Sequence, residues 1–271
     1  MTIDLKDAEK RLAKDTFAIM PVHYASNPWH LGEVYDFAKK HGLRVIEDAA
    51  HAFGCKYHGR KIGSFGDMVC FSFDGIKNIT CGEGGFVVAF DREAASVMQD
   101  TRLLSVQNDT RARFKGERTW DADVSRQGWR FHLSNIMAAI VRVQLSRFEK
   151  EFVPARKHLA ALYRELLTGV QGVELLDQDP EDDIVLHIQP VKVLNGKMPA
   201  VRQYLREHGI PVGVHYKPNH LHSYFSDPSA APLPVTERLY GELMTIPMHP
   251  ALSDDDVRLV CSTLKEALSR A

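Results

Sequence analysis

The chain has 271 residues, enough for a full hydrophobic core and about two domains on the rough scale of 150 residues each. Its 34 Lys and Arg balance 35 Asp and Glu, which leaves no global electrostatic pull toward nucleic acid or an anionic membrane surface, and no helix-turn-helix pattern is recognisable. The four cysteines, Cys55, Cys70, Cys81 and Cys261, form no CxxC pair, no apolar run approaches the roughly 20 residues needed to span a bilayer, and Met1 to Lys14 is charged rather than signal-like. A soluble cytoplasmic protein is expected, with no nucleic-acid or membrane partner.

Leu5 to Lys14 reads as a short polar helix, and Phe17 to Val22 as a strand ending at Pro21 and His23. Trp29 to His41 carries Leu31, Val34, Tyr35 and Ala38 at helical spacing, then a basic last turn and Gly42 as a stop. Leu43 to Asp48 is a second strand, so the order is a βαβ unit. Met68 to Phe73 and Phe86 to Phe90 follow as strands, the latter reading as fully buried because it alternates poorly. Arg92 to Ser105 reads as a helix and Val106 to Arg126 as a long polar loop or flap.

From Ser134, the expected N-cap, a long helix places Ile136, Ile140, Val143 and Phe148 at apolar positions, with Pro154 expected to kink or divide it. The remainder reads as a smaller α+β unit. It has a strand over Ile184 to Val193, a helix over Pro199 to His208, a strand over Val212 to Tyr216 and a Pro, Ala and Ser rich loop over Ser226 to Val235. A last helix opens with the capping-box pattern Ser253-Asp254-Asp255-Asp256 and should bury Val257, Val260, Cys261, Leu264 and Leu268.

The stretch Val45 to Gly85 holds the sharpest chemistry. One apolar strand ends in Glu47 and Asp48, and another ends in Asp74-Gly75 with Lys77 two residues later. Open α/β sheets bind ligands at such carboxyl ends. A carboxylate and a lysine at neighbouring strand ends suit a cofactor that needs a Schiff base at one end and a charged partner for a ring nitrogen at the other, and pyridoxal 5'-phosphate is such a cofactor. Taken singly, Lys77 also fits an exposed loop lysine and Asp48 a turn or cap acid. His215, His220 and His222 lie close in sequence, but no Cys or carboxylate completes a tetrahedral set nearby, so no metal site is expected.

EDAAHAFG, CFSFDGIKN and GEGG, with PVHYAS before them and GWRFHLSNIMAAI, GVHYKPNHLHSYF and TIPMHPALSDDDV after them, resemble the DegT/DnrJ/EryC1/StrS family of pyridoxal phosphate dependent sugar aminotransferases, across nearly the whole chain and in order. The resemblance implies the α/β fold type I architecture of aspartate aminotransferase, with a mostly parallel large-domain sheet in residues 1–140 and a linking helix with a C-terminal α+β domain in 141–271. It also implies a homodimer and ping-pong transfer from an amino donor such as glutamate to a nucleotide-linked keto-sugar. A 4-keto-6-deoxyhexose is preferred, on a route to surface polysaccharide or a related amino sugar.

By the same resemblance, Lys77 stands at the Schiff-base position and Asp48 at that of the acid pairing with the pyridinium nitrogen. His51 stands beside the cofactor's phenolic oxygen, although alone it also fits a hydrogen-bonded core histidine. Ser72 matches a serine at the cofactor phosphate, or a satisfied strand hydroxyl. Arg130 falls where many relatives place an Asn that reaches the neighbouring subunit's phosphate, and it also fits an ordinary surface arginine. His215 and Tyr216 fall on the substrate wall. Dehydratases of the family replace the lysine by histidine, so Lys77 favours transamination. The sequence departs from the family in lacking the segment ahead of the first strand, with its glycine and Ser/Thr helix start for the phosphate. An N-terminally truncated member is therefore expected, the alternative being a non-catalytic fragment or pseudoenzyme subunit that needs a partner chain.

Overall fold

A computed structural model describes residues 1–107, 112, 115–117 and 123–271. In chain order, α1 (Leu5–Lys10), β1 (Ala18–Ile19), α2 (Leu31–His41) and β2 (Arg44–Asp48) are followed by the small hairpin β3 (Lys56–Tyr57) and β4 (Arg60–Lys61), then by β5 (Met68–Ser72), β6 (Gly85–Ala89) and α3 (Arg92–Thr101). The second half comprises α4 (Asn135–Arg147), α5 (Val153–Leu167), β7 (Val173–Leu175), β8 (Gln189–Val193), α6 (Met198–Glu207), α7 (Pro234–Glu242), β9 (Leu243–Ile246) and α8 (Asp254–Arg270).

The main sheet has the order β1-β2-β5-β6, parallel from β1 to β2 and from β2 to β5, and antiparallel from β5 to β6. The parallel βαβ unit of β1, α2 and β2 forms because α2 buries Leu31, Val34, Phe37 and Ala38 on one stripe, and Gly42 closes it in the left-handed conformation at φ 66°. The strand expected over 17–22 is regular only at Ala18–Ile19. Pro21 has no N–H for the ladder, yet its carbonyl accepts from Asp48 N at 2.9 Å, and a bridge from Val22 to Asp48 resumes the pairing. The β6 segment is not fully buried as expected: it ends the sheet order, and Val87 and Phe90 are each 47% exposed. Of the loop expected over 106–126, residues 108–111, 113–114 and 118–122 lie outside the described residues, and a bridge joins Val106 to Val124.

Ser134 caps α4 by accepting from Met137 N at 3.3 Å. A single π turn over Phe148–Phe152 separates α4 from α5, which has Pro154 in its first turn, where a missing N–H is harmless. The three-stranded antiparallel sheet β7-β8-β9 packs with α5, α6 and α8 around Tyr163, Val191, Leu205, Met244 and Leu264. The helix over 254–270 carries the capping box, and all five of its expected core residues are buried.

Two expectations fail in this half. The strand expected over 184–193 begins only at Gln189; residues 185–188 run instead as a buried strap against the first half, with Val185 N donating to Cys55 Sγ at 3.3 Å. Residues 212–216 contribute one bridge, from Gly213 to Thr245, rather than a strand. The reason is local: past Gly213 the chain turns its groups toward Tyr24, Thr245 and His51 instead of the ladder.

Candidate active site

The period of two along β2 puts its last two acids on opposite faces. Glu47 is fully buried and accepts from His23 Nε2 at 2.7 Å and from the Tyr35 hydroxyl at 2.6 Å. A carboxylate only accepts, so the proton of that pair sits on Nε2. Asp48, on the other face, is fixed by its backbone: its N–H donates to Pro21 O, its carbonyl accepts from His23 N at 3.0 Å, and its Oδ1 accepts from Ala50 N at 3.0 Å.

Lys77 lies on the turn between β5 and β6, where its own N–H donates to Asp74 O at 3.0 Å. Burial holds its amine below the ordinary lysine value, against the nearby charges of Asp74 and Asp48, which pull it back up. Asp48 is thus close enough for its charge to act on the amine. After the lysine, the chain goes straight into the core: Asn78 is buried and Ile79 is fully buried. Before it, Gly75 and Ile76 are exposed.

His51 lies within reach of the Lys77 charge. Its Nδ1 accepts from Ala25 N at 3.4 Å, so Nε2 carries the proton and donates to the Tyr216 hydroxyl oxygen at 3.0 Å. Burial pushes His51 down to about 3, and the nearby Lys77 and His215 oppose a charge on it as well, so the ring is neutral at physiological pH. Ala25 and Ser26 both take left-handed backbone at φ 51° and 66°, uncommon without glycine. That conformation brings the Ser26 hydroxyl to donate to His51 O at 2.5 Å while accepting from His187 N at 2.9 Å. The His187 ring then packs 4.5 Å from that of His51, 2% exposed, with both ring nitrogens unpartnered among the described residues.

His215 Nδ1 meets the Thr245 hydroxyl at 2.9 Å, and its backbone carbonyl accepts from the Tyr24 hydroxyl at 2.6 Å. His215, Tyr216 and Tyr24 line an open cleft of about 1150 Å³ that also reaches Lys217 and α1. Asp48, His51, Lys77, His215 and Tyr216 are linked pairwise by charge or hydrogen bonding into one cluster, of which His215 and Tyr216 reach that cleft. Ser72 sits at the end of β5, its hydroxyl accepting from Asp74 N at 3.2 Å. Arg130 lies on an exposed segment bridged to Leu103, and among the described residues no hydrogen bond or ion pair joins it to the cluster. His220 pairs with Glu237 at 3.2 Å rather than with His215, and among the described residues no group of His, Cys, Asp or Glu has a metal-holding arrangement. No helix among those residues is long and apolar enough to cross a membrane.

Sequence reasoning missed Tyr24, Ser26, Asn78 and His187. They contact the site from segments up to 161 residues apart, as in the Ser26 to His187 bond, and no periodicity marks them. For Asn78 a signal existed in its place directly after Lys77. The donor set fits pyridoxal phosphate: a partly desolvated amine for its carbonyl, a carboxylate at a neighbouring strand end for a ring nitrogen, and a neutral imidazole within reach of the amine.

The sequence profile of the DegT/DnrJ/EryC1/StrS aminotransferase family matches residues 1–265. An uncharacterised protein of Methanocaldococcus jannaschii is 31% identical over 274 residues, covering 98% of this chain and 71% of that protein. Among solved structures, Helicobacter pylori PseC, an aminotransferase involved in the biosynthesis of pseudoaminic acid, superposes with a TM-score of 0.91 at 26% identity, covering 100% of this chain and 71% of PseC. DesV of S. venezuelae gives a TM-score of 0.88 at 29% identity, covering 100% of this chain and 70% of DesV. The fold is that of the fold type I aminotransferases, and the chain belongs to the DegT/DnrJ/EryC1/StrS aminotransferase family.

Proposed function

We propose that the chain is a cytoplasmic, pyridoxal phosphate dependent aminotransferase that moves an amino group from a donor such as glutamate to a nucleotide-linked keto-sugar, with a 4-keto-6-deoxyhexose preferred. The observation that carries this reading is the partly desolvated Lys77 amine on the turn after β5, within charge range of Asp48 at the end of the adjacent β2. PseC, named for the biosynthesis of pseudoaminic acid, and a DesI structure described with its TDP-sugar product support the sugar class.

Lys77 would carry the cofactor's carbonyl, Asp48 would pair with its ring nitrogen, His51 would flank its phenolic oxygen, and Ser72 and the Arg130 of a neighbouring subunit would serve its phosphate. When bound, the cofactor supplies a reversible carbonyl link to amines and an electron sink for the carbon next to the transferred nitrogen. The chain's own part is proton handling. Burial lowers the Lys77 Nζ pKa, so more of it is free amine to take a proton at neutral pH and return it in the second half reaction. Asp48, anchored through both its backbone groups, holds its carboxyl group at a fixed place. His51, neutral and donating from Nε2, leaves the Tyr216 hydroxyl proton free to point into the cleft toward a sugar hydroxyl or ketone, with His215 beside it. We read residues 1–140 as the cofactor-binding part and 141–271 as the smaller domain, with two copies sharing their sites.

The test is transfer of nitrogen from ¹⁵N-glutamate to a panel of nucleotide-linked 4-keto-6-deoxyhexoses, read by mass spectrometry of the product. The expected result is a labelled amino sugar nucleotide that Lys77→Ala does not form. Equal labelling by the variant would overturn the reading.

A further inference from the structure

The turn that carries Lys77 is closed on itself at its leading end, where Ile76 N donates to Asp74 Oδ1 at 3.2 Å and a bridge joins Asp74 to Gly82, and it is tied to neighbouring segments at its trailing end. Gly75 and Ile76 before it are exposed, whereas Asn78 after it is 5% exposed and faces inward. Its side-chain nitrogen donates to Phe53 O at 3.1 Å and to Val185 O at 3.0 Å. Two carbonyls converge on that nitrogen, so the amide orientation is set by chemistry: the oxygen in its place would meet two acceptors. Both carbonyls belong to segments that build the site. Phe53 lies two residues past His51, and Val185 lies two residues before His187 on the buried strap.

We infer that Asn78 is the positioning residue for Lys77, a clamp that ties the turn to the His51 loop and to the strap and so keeps the amine drawn into its partly desolvated place. The inference rests on reading Lys77 as the reactive amine, but its measurement needs neither cofactor nor substrate. The carboxylates whose charge acts on Lys77 are Asp74 on its own turn and Asp48 on β2, and the rings of His51, His187 and His215 lie within reach of its own charge, which lowers each of them. Both carboxylates raise the amine, so only its burial keeps it low. Without the clamp, the exposed Gly75–Ile76 side would let the turn swing outward, and the amine would regain water.

The experiment is competitive acetylation of the cofactor-free chain across pH, with Lys77 reactivity read by peptide mass mapping in the wild type, Asn78→Ser and Asn78→Ala. A thermal melt of each confirms folding. The expected wild-type Lys77 titrates below the other lysines. In Asn78→Ala it moves toward the ordinary lysine value, with roughly tenfold less free amine at pH 8 for each pKa unit regained. Asn78→Ser, which keeps one donor, falls between. A purely structural role would lower the melting temperature while leaving the titration of Lys77 unmoved, and that result would overturn the inference. An ordinary wild-type titration would do the same. If Asn78→Ala fails to fold, side-chain amide exchange in the wild type decides: slow exchange of the Asn78 NH₂ supports the clamp, and fast exchange overturns it. Failure of the aminotransferase reading looks different, since it would show as absent cofactor attachment while the Asn78 dependence of the amine remains.

Discussion

Removing the Glu47 carboxylate should be among the most damaging single changes in the first half of the chain. Glu47 is fully buried, and its two oxygens each take one donor, from the 2% exposed His23 and from Tyr35. Hydrogen bonds to a charged acceptor are worth about 1.5–3 kcal/mol each, and breaking a buried pair by deleting one partner typically costs about 3–5 kcal/mol because the remaining group is left without a partner. Glu47→Ala strands the His23 N–H, leaves the Tyr35 hydroxyl with only the Asp67 N–H it accepts at 3.2 Å, and opens a cavity, so a loss of about 4 kcal/mol is expected. Glu47→Gln keeps the volume and one acceptor but turns an NH₂ onto the other donor, for an expected loss of about 2 kcal/mol. Urea unfolding followed by far-UV circular dichroism measures both. Losses below about 1 kcal/mol for both variants would refute the reasoning, because total stabilities are only about 5–15 kcal/mol. The change should also reach the site, since the backbone N–H of His23 holds the carbonyl of Asp48.

His51 and His187 are both depressed in the fold, to about 3 and about 2, chiefly by burial. The unfolded chain therefore binds more protons below pH 6.5, so stability should fall as pH drops, by about 2 kcal/mol per ring between pH 7 and 5, and His51→Phe should flatten part of that slope in urea titrations. Gly54→Ala should cost about 3 kcal/mol, because φ is +88° and a Cβ there would lie 2.4 Å from the buried Phe148 ring; a melting temperature equal to wild type would contradict this. Ser253→Ala should cost about 1 kcal/mol by removing the cap of α8, which accepts from Asp256 N at 3.2 Å, again measured by urea unfolding.

What could be read from residues alone was what depends on local pattern. The stripe of α2, the Gly42 stop, the Ser134 and Ser253 caps and the break at Pro154 are all short-range signals, and each appears where expected. The family followed from motifs spread over the chain, because their order is specific even where each alone is not. What failed depended on tertiary context. The 185–188 strap has the apolar composition of a strand, yet it spends its hydrogen bonds on Cys55, Asn78, Arg156 and Ser26 rather than on a ladder. Edge position, which exposes Val87, leaves no mark in a five-residue apolar run. Nor did any spacing point to Ser26 or Asn78, whose partners come from segments 25 to 161 residues away.

The central claim is that Lys77 is the amine that takes the cofactor. The direct measurement is the visible absorption spectrum of the purified 271-residue chain with pyridoxal phosphate, before and after borohydride, followed by peptide mapping and repeated with Lys77→Ala. The expected result is a protein-bound band that borohydride fixes as a pyridoxyl group on Lys77 alone and that the variant lacks. A folded chain that shows no such band, or that carries the label elsewhere, would contradict it.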